Sequence, residues 1–300
     1  MSQEQTETLF QEEPAKSHDR REEMRLPSDF RLGSYLGEEA LLKALPELED
    51  FRKVAHWLAQ RFWSEGIAGN MSLRLSKLTS HLQDQELPQP LHKEDLLRSY
   101  PKLAGQFLAI TGTGSRMREL GLTLRGKLGI IRINDSGDGF ESYWGARHPS
   151  SELPAHLGIH NMLVSQKPQY RAVVHTHPTT TVTLSHIPEL RSSKALNQTL
   201  FRLHPETRIL IPEGIVYLDF DVPGSYSLGE LTARGLESSR LVVWAHHGVV
   251  SVGENLLRAF DWVELVEKAA TIYWRSRAMG IQPAGIPEEG LKKTVEAFKN

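Results

Sequence analysis

Helical spacing of apolar residues sets in near Pro46: Leu48, Phe51, Val54, Ala55, Leu58 and Phe62 recur three and four apart. That predicts an amphipathic helix ending near Gly66. Asn70-Met71-Ser72-Leu73-Arg74-Leu75 then alternates every second residue, the pattern of a half-buried strand. Residues 76–105 carry polar and Pro-rich loop signals around a short helical stretch near Glu94–Ser99. Phe107–Thr111 reads as a strand ending in the turn Gly112-Thr113-Gly114-Ser115. Leu128–Asn134 and Phe140–Trp144 flank Asp135-Ser136-Gly137-Asp138-Gly139, a hairpin loop whose glycines tolerate positive φ.

In the second half, Ser150 or Ser151 can cap a helix running to about Ser165, with Pro154 in its first turn. A strand at Arg171–His175, a helix near Thr180–His186 and strands near Ile209–Ile211 and Ile215–Leu218 follow. Ser227 opens a helix to about Glu237, Leu241–Trp244 is a buried-strand run, and Leu256–Met279 is a long last helix. No repeat or internal linker interrupts this series, so one α/β domain is expected. Residues 1 to about 30 differ: Glu, Gln, Arg, Lys and Ser dominate, and Leu9 and Phe10 stand alone. Such a segment buries too little to offset its ordering entropy, so it is a mobile tail or a strap around a partner.

Composition narrows the function. The 300 residues carry a net charge of −2, which disfavours a nucleic-acid protein working through a general basic field. Zero cysteine removes disulfides, thiolate nucleophiles and Cys-based metal sites, so any metal must be held by His, Asp or Glu. No run approaches the ~20 apolar residues of a membrane helix, and the N-terminus lacks a signal-peptide pattern. A cytoplasmic protein is expected.

Nine of the thirteen histidines lie between His148 and His247. His175 and His177 follow the apolar run Ala172-Val173-Val174, and residues two apart on a strand share a face. Two such imidazoles make a good chelate for a divalent ion, although His-x-His at a strand end can also be plain polar capping. His246-His247-Gly248 offers a third ligand after a second buried strand; adjacent residues on extended chain point oppositely, so one of the two binds at most. Glu152, His156 and His160, spaced four apart, are a competing chelate or, more simply, a polar helix face with Glu152 aimed into a cleft. Gly69-Asn70, Gly112-Thr113-Gly114-Ser115 and Ser150-Ser151 are small, polar turns of the kind that attract anions.

Seven segments carry a resemblance: GNMSLRL (69–75), ITGTGSRM (110–117), LGIIRINDSGDGFESYWG (128–145), PSSELPAH (149–156), VVHTHP (173–178), VPGSYSLG (222–229) and LVVWAHHGVVSVG (241–253). In this order they resemble the class II aldolase/adducin family, in its rhamnulose-1-phosphate aldolase branch, over roughly residues 45–280. The resemblance implies an α/β fold with a central, largely antiparallel or mixed sheet flanked by helices. It divides the chain into an extension, residues 1–44, partly disordered or partner-wrapping, and a catalytic domain, residues 45–300. It implies His175, His177 and His247 as ligands of one Zn2+ per subunit, and Glu152 as the catalytic acid/base. Asn70, Thr113, Gly114, Ser150 and Ser151 match positions that hold the substrate phosphate. Glu206 matches a Glu that acts from the neighbouring subunit, so a homotetramer with its active site at a subunit boundary is implied. Where some members carry a phosphate-gripping Thr before Gly69, this chain has Ile67-Ala68.

The implied reaction is zinc-dependent retro-aldol cleavage of a ketose 1-phosphate, L-rhamnulose 1-phosphate first, in L-rhamnose catabolism. Its partners are then a sugar phosphate, with no nucleic acid and no membrane. The alternatives are an L-fuculose-phosphate-like aldolase, a pentulose-phosphate 4-epimerase, or a non-catalytic adducin-like assembly module. Relatives doing the epimerisation tend to carry Asp where Glu152 stands, and assembly modules are expected to lose metal ligands.

Overall fold

The computed structural model describes residues 26–33 and 35–298. Its elements are, in chain order, α1 (Glu38–Ala44), α2 (Glu49–Gln60), β1 (Asn70–Arg74), α3 (Ser76–Leu82), β2 (His92–Asp95), β3 (Phe107–Thr111), α4 (Met117–Leu120), β4 (Leu128–Ile133) and β5 (Gly139–Gly145). There follow α5 (Leu153–Gln166), β6 (Ala172–Thr176), α6 (Thr179–Ser185), α7 (Ser193–Leu200), α8 (Pro205–Leu210), β7 (Val216–Leu218) and α9 (Tyr226–Ser238). The chain closes with β8 (Leu241–Trp244), β9 (Gly248–Gly253), α10 (Leu256–Ala278) and α11 (Glu288–Ala297).

The strands form one nine-stranded sheet in the order β2-β5-β4-β3-β1-β6-β9-β8-β7. Each neighbouring pair is antiparallel except β7 with β8, which is parallel. Helices cover both faces, as the α/β reading expects. Strand alternation sends Met71, Leu73, Ala172, Val174 and Val249 into the larger core, with Phe51 and Val54 of α2 and Phe260 and Val263 of α10. Val173, Val242, Val250 and Val252 point the other way, onto α5 and α9. Leu108, Ile110, Ile131 and Ile133 meet Leu153 and Leu157 of α5 on the face toward the other end of the sheet.

Several local expectations give way to tertiary context. The run Arg208-Ile209-Leu210-Ile211 is mostly helix α8, because Pro205 starts a helical turn and three apolar residues carry no period of their own. Glu94–Ser99 is not helical: His92–Asp95 is the edge strand β2, polar because it pairs only with β5 and one side faces water. β1 is buried throughout, not half-buried, because helix α5 covers the face that carries Asn70 and Ser72. The cap of α5 falls on Glu152 itself, one residue past the predicted serines. Strand β9 and helices α1, α3, α4, α7 and α11 are additions to the sequence reading.

The predicted tail lies, over residues 1–25, outside the described residues. Phe30, Leu32 and Leu41 all join the larger core. No described helix is long and apolar enough to cross a membrane.

Candidate metal and acid site

Antiparallel register builds the site. β1 and β6 pair Asn70 with His175, and β6 pairs His175 with Val250 of β9, so these positions sit side by side at the middle of the sheet. His177 lies just beyond the end of β6, and His247 lies in the turn from β8 to β9. The ligand atoms of His175, His177 and His247 lie within 4.8 Å of one another. His246 turns elsewhere: its φ of 61° is left-handed, and its Nδ1 lies 3.0 Å from His186 Nδ1. One of the two adjacent histidines thus enters the cluster, but they part in a turn, with His246 left-handed, and not on the extended backbone expected from the sequence.

Hydrogen bonds decide which nitrogens are available. His175 Nδ1 sits 2.9 Å from the Val249 carbonyl oxygen, which can only accept, so Nδ1 carries the proton and Nε2 keeps a lone pair. His177 Nδ1 sits 3.1 Å from Glu65 Oε1, a carboxylate that likewise fixes the proton on Nδ1. The two Nε2 atoms face each other at 3.2 Å. Two facing lone pairs repel, and a cation shared between them converts that repulsion into ligation. The buried Nδ1 of His247 has no hydrogen-bond partner either. Burial, reinforced by the neighbouring His177, lowers the His175 pKa to about 3; burial and the nearby His175 lower His247 to about 4. Both of these rings are therefore neutral at neutral pH, the form that binds a metal, and with His177 Nε2 turned toward them the residues fit a divalent cation. Gly248 is required here for space: a Cβ would come within 2.5 Å of the Thr176 carbonyl oxygen and 2.8 Å of His177 Cδ2.

Glu152 closes the cluster from the other side. Its carboxylate lies 3.4 Å from His175 Nε2 through Oε2 and 3.7 Å from His247 Nε2 through Oε1. Asn70 Nδ2 donates to Oε2 at 2.9 Å. An open cleft of about 590 Å³ fronts the histidines, lined by Phe62, Glu65, His177, His186, His246 and His247.

The residues expected at the phosphate divide. Thr113 and Gly114 are exposed in a turn stitched to the start of α5: Thr113 N donates to the His148 carbonyl, Gly112 bridges Pro149, and Ser150 N donates to the Thr111 carbonyl. Gly114 adopts φ 68°, a conformation that favours glycine. Ser151 is exposed beside it, while Ser150 is buried and its Oγ accepts from Glu152 N at 3.3 Å. Asn70 is different: its side-chain amide is spent on Glu152 and His156. Glu206 stands on α8 with its carboxylate 3.0 Å from His204 Nε2, and within one chain no contact joins it to the cluster among the described residues. Glu65, Ser72 and the Val249 carbonyl were not among the predicted site residues. Ser72 alone had a signal, lying two positions from Asn70 on the same strand face.

His156 and His160 form no exposed polar face, and they are not part of the metal cluster: both are buried against Ser72. Burial lowers the His156 pKa to about 4, outweighing the nearby Glu152 carboxylate, which raises it. The folded chain therefore keeps His156 neutral, whereas the unfolded chain protonates it below its ordinary pKa of about 6.5. Metal-free protein is expected to be fully stable above that value and to lose stability as the pH falls from about 6.5 to about 4. His156 alone accounts for on the order of 3 kcal/mol of the loss. Urea unfolding midpoints across that window check this, and a flat profile contradicts it.

His92, Glu94 and His148 also gather at the β2 edge, where Glu94 and His148 are exposed to water.

The chain is similar to known proteins over most of its length. The family model described as "Class II Aldolase and Adducin N-terminal domain" matches residues 49–274. A rhamnulose-1-phosphate aldolase of Bacteroides thetaiotaomicron is 30% identical over 256 residues, 84% of this chain and 94% of the relative. A rhamnulose-1-phosphate aldolase of Listeria welshimeri is 31% identical over 260 residues, 84% of this chain and 92% of the relative. Among solved structures, a sugar-phosphate aldolase from Thermotoga maritima superposes with a TM-score of 0.70 at 35% identity, covering 80% of this chain and 98% of that one.

Proposed function

Because this chain belongs to the class II aldolase and adducin family, we propose that it is a metal-dependent aldolase acting on a ketose 1-phosphate. The substrate we assign is L-rhamnulose 1-phosphate, cleaved to dihydroxyacetone phosphate and L-lactaldehyde in the breakdown of L-rhamnose. The observation that carries the reading is the meeting of His175, His177 and His247 beside the buried carboxylate of Glu152. The names of the relatives support the choice of sugar.

Zn2+, one per subunit, suits a set of three imidazole ligands, which leaves open coordination positions for substrate. When bound, it supplies a Lewis acid that stabilises negative charge developing on the ketose oxygens. The chain's own residues handle protons and position. Glu152, held by Asn70, delivers a proton to C3 of the substrate once the C3–C4 bond has broken. Glu206 of a neighbouring subunit accepts the proton of the C4 hydroxyl, which makes a homotetramer with the site at a subunit boundary part of this proposal. Thr113, Gly114, Ser150 and Ser151 grip the phosphate at the N-terminal end of α5, where backbone N–H groups and the helix dipole favour an anion. Binding energy spent there orients the reacting carbons. Asn70 contributes through Glu152, since its side chain is not free for phosphate. The protein works in the cytoplasm, with a sugar phosphate as its ligand and neither nucleic acid nor membrane as partner.

The test is aldehyde release from a panel of ketose 1-phosphates while a chelator is titrated in and zinc is then restored. L-rhamnulose 1-phosphate is expected to be cleaved fastest, with activity lost on chelation and recovered with zinc. Zinc-loaded protein that cleaves none of the panel removes the reading. Preference for L-fuculose 1-phosphate keeps the aldolase and changes its sugar.

A further inference from the structure

Behind Glu152 and Asn70 runs a line of buried polar side chains, Ser72, His156 and His160, that the proposed chemistry does not use. Asn70 Oδ1 lies 2.5 Å from His156 Nε2, His156 Nδ1 lies 2.6 Å from Ser72 Oγ, and Ser72 Oγ lies 2.8 Å from His160 Nε2. Every member is buried, and the far end is His160 Nδ1, which has no partner. Polar groups this deep cost free energy unless each is satisfied, so their proton positions are constrained.

Those positions follow one by one from Glu152. Asn70 gives its Nδ2–H to the carboxylate, so its oxygen faces His156 and can only accept. His156 Nε2 must then carry the ring proton. A neutral ring has only one, so His156 Nδ1 accepts, and the hydroxyl proton of Ser72 must go there. With that proton spent, Ser72 Oγ presents a lone pair to His160, whose Nε2 must be the donor. His160 is left with a bare Nδ1 lone pair in the interior. Four hydrogen bonds then point the same way, from α5 across β1 to Glu152. The ends of this line come from facing elements: Asn70 and Ser72 share one face of β1, and His156 and His160 are one helical turn apart on α5.

We propose that His160, Ser72 and His156 are positioning residues that lock the Asn70 amide with its N–H toward Glu152, and so hold the catalytic carboxylate in place. This deepens the proposed aldolase reading and rests on it. Without the lock, the Asn70 amide could rotate by half a turn and put its oxygen against the carboxylate, a repulsive pairing. Aligned donors also polarise one another, which strengthens the last bond of the line. The line does not conduct protons, because an amide N–H does not pass a proton on to its own oxygen. It orients.

Two measurements test this. In protein labelled with 15N at histidine, His156 and His160 are expected to give the nitrogen shifts of neutral Nε2–H tautomers; an Nδ1–H tautomer at either ring overturns the proposal. That readout needs no substrate, so it stands or falls separately from the assigned reaction. The second is Ser72→Ala, expected to lower kcat about tenfold with KM and bound zinc within twofold of wild type. In a Glu152→Gln background the same change is expected to add no further loss, since both act through one carboxylate. An unchanged kcat in the single variant, or fully additive losses in the double, overturns the positioning role. Should Ser72→Ala not fold, the tautomers of the unaltered protein still decide.

Discussion

Replacing Glu152 with Gln is expected to lower the cleavage rate by roughly 10²–10⁴-fold, the usual worth of a positioned acid/base group. The amide keeps the size of the carboxyl group and one oxygen that can accept from Asn70, so packing beside the histidines is largely preserved. It has no proton to give at carbon and cannot take one back. Metal content is expected to stay near wild type, because His175, His177 and His247 are untouched. Initial rates and metal analysis on the same preparation check both halves. A variant that turns over within tenfold of wild type places the acid/base elsewhere.

The second large effect is expected from His175→Ala. His175 is the most buried of the three clustered histidines, anchored through the Val249 carbonyl and packed 4.6 Å, centroid to centroid, from the Trp244 ring. Losing an outer-shell partner of a metal site costs about 10–100-fold in affinity, and losing a ligand costs more. Desalted variant protein is therefore expected to retain little zinc and to show background turnover. Retained stoichiometric zinc with full activity would dissolve the three-histidine site. Glu65→Ala is the milder companion, since Glu65 is exposed and only orients His177.

Much of the frame is legible in the amino-acid pattern itself. Strands 107–111, 128–133 and 139–145 and the long α10 announce themselves by local periodicity, and the i, i+2 spacing of His175 and His177 foretells a shared face. Expectation and structure part where local pattern is weak. Ile209–Ile211 is too short to show a period, and β2 carries His-Lys-Glu-Asp, a polar sequence that is a strand only because β5 pairs with it. His156 and His160 are visible as a helical pair, but nothing in α5 itself says whether that pair meets water, a metal or another side chain.

The sequence alone determined the kinds of groups available and their local grouping: imidazoles and carboxylates without thiols, two histidines on one strand, small polar turns before a helix. Backbone periodicity and side-chain chemistry are short-range properties, so a linear string contains them. Only the tertiary structure decided that His247, in a turn far along the chain, completes the cluster and that Asn70 serves Glu152. It also decided that Ser72 joins two buried histidines into one directed line. Those choices depend on strand register and on which sheet face α5 covers, and both are set by the packing of the whole core.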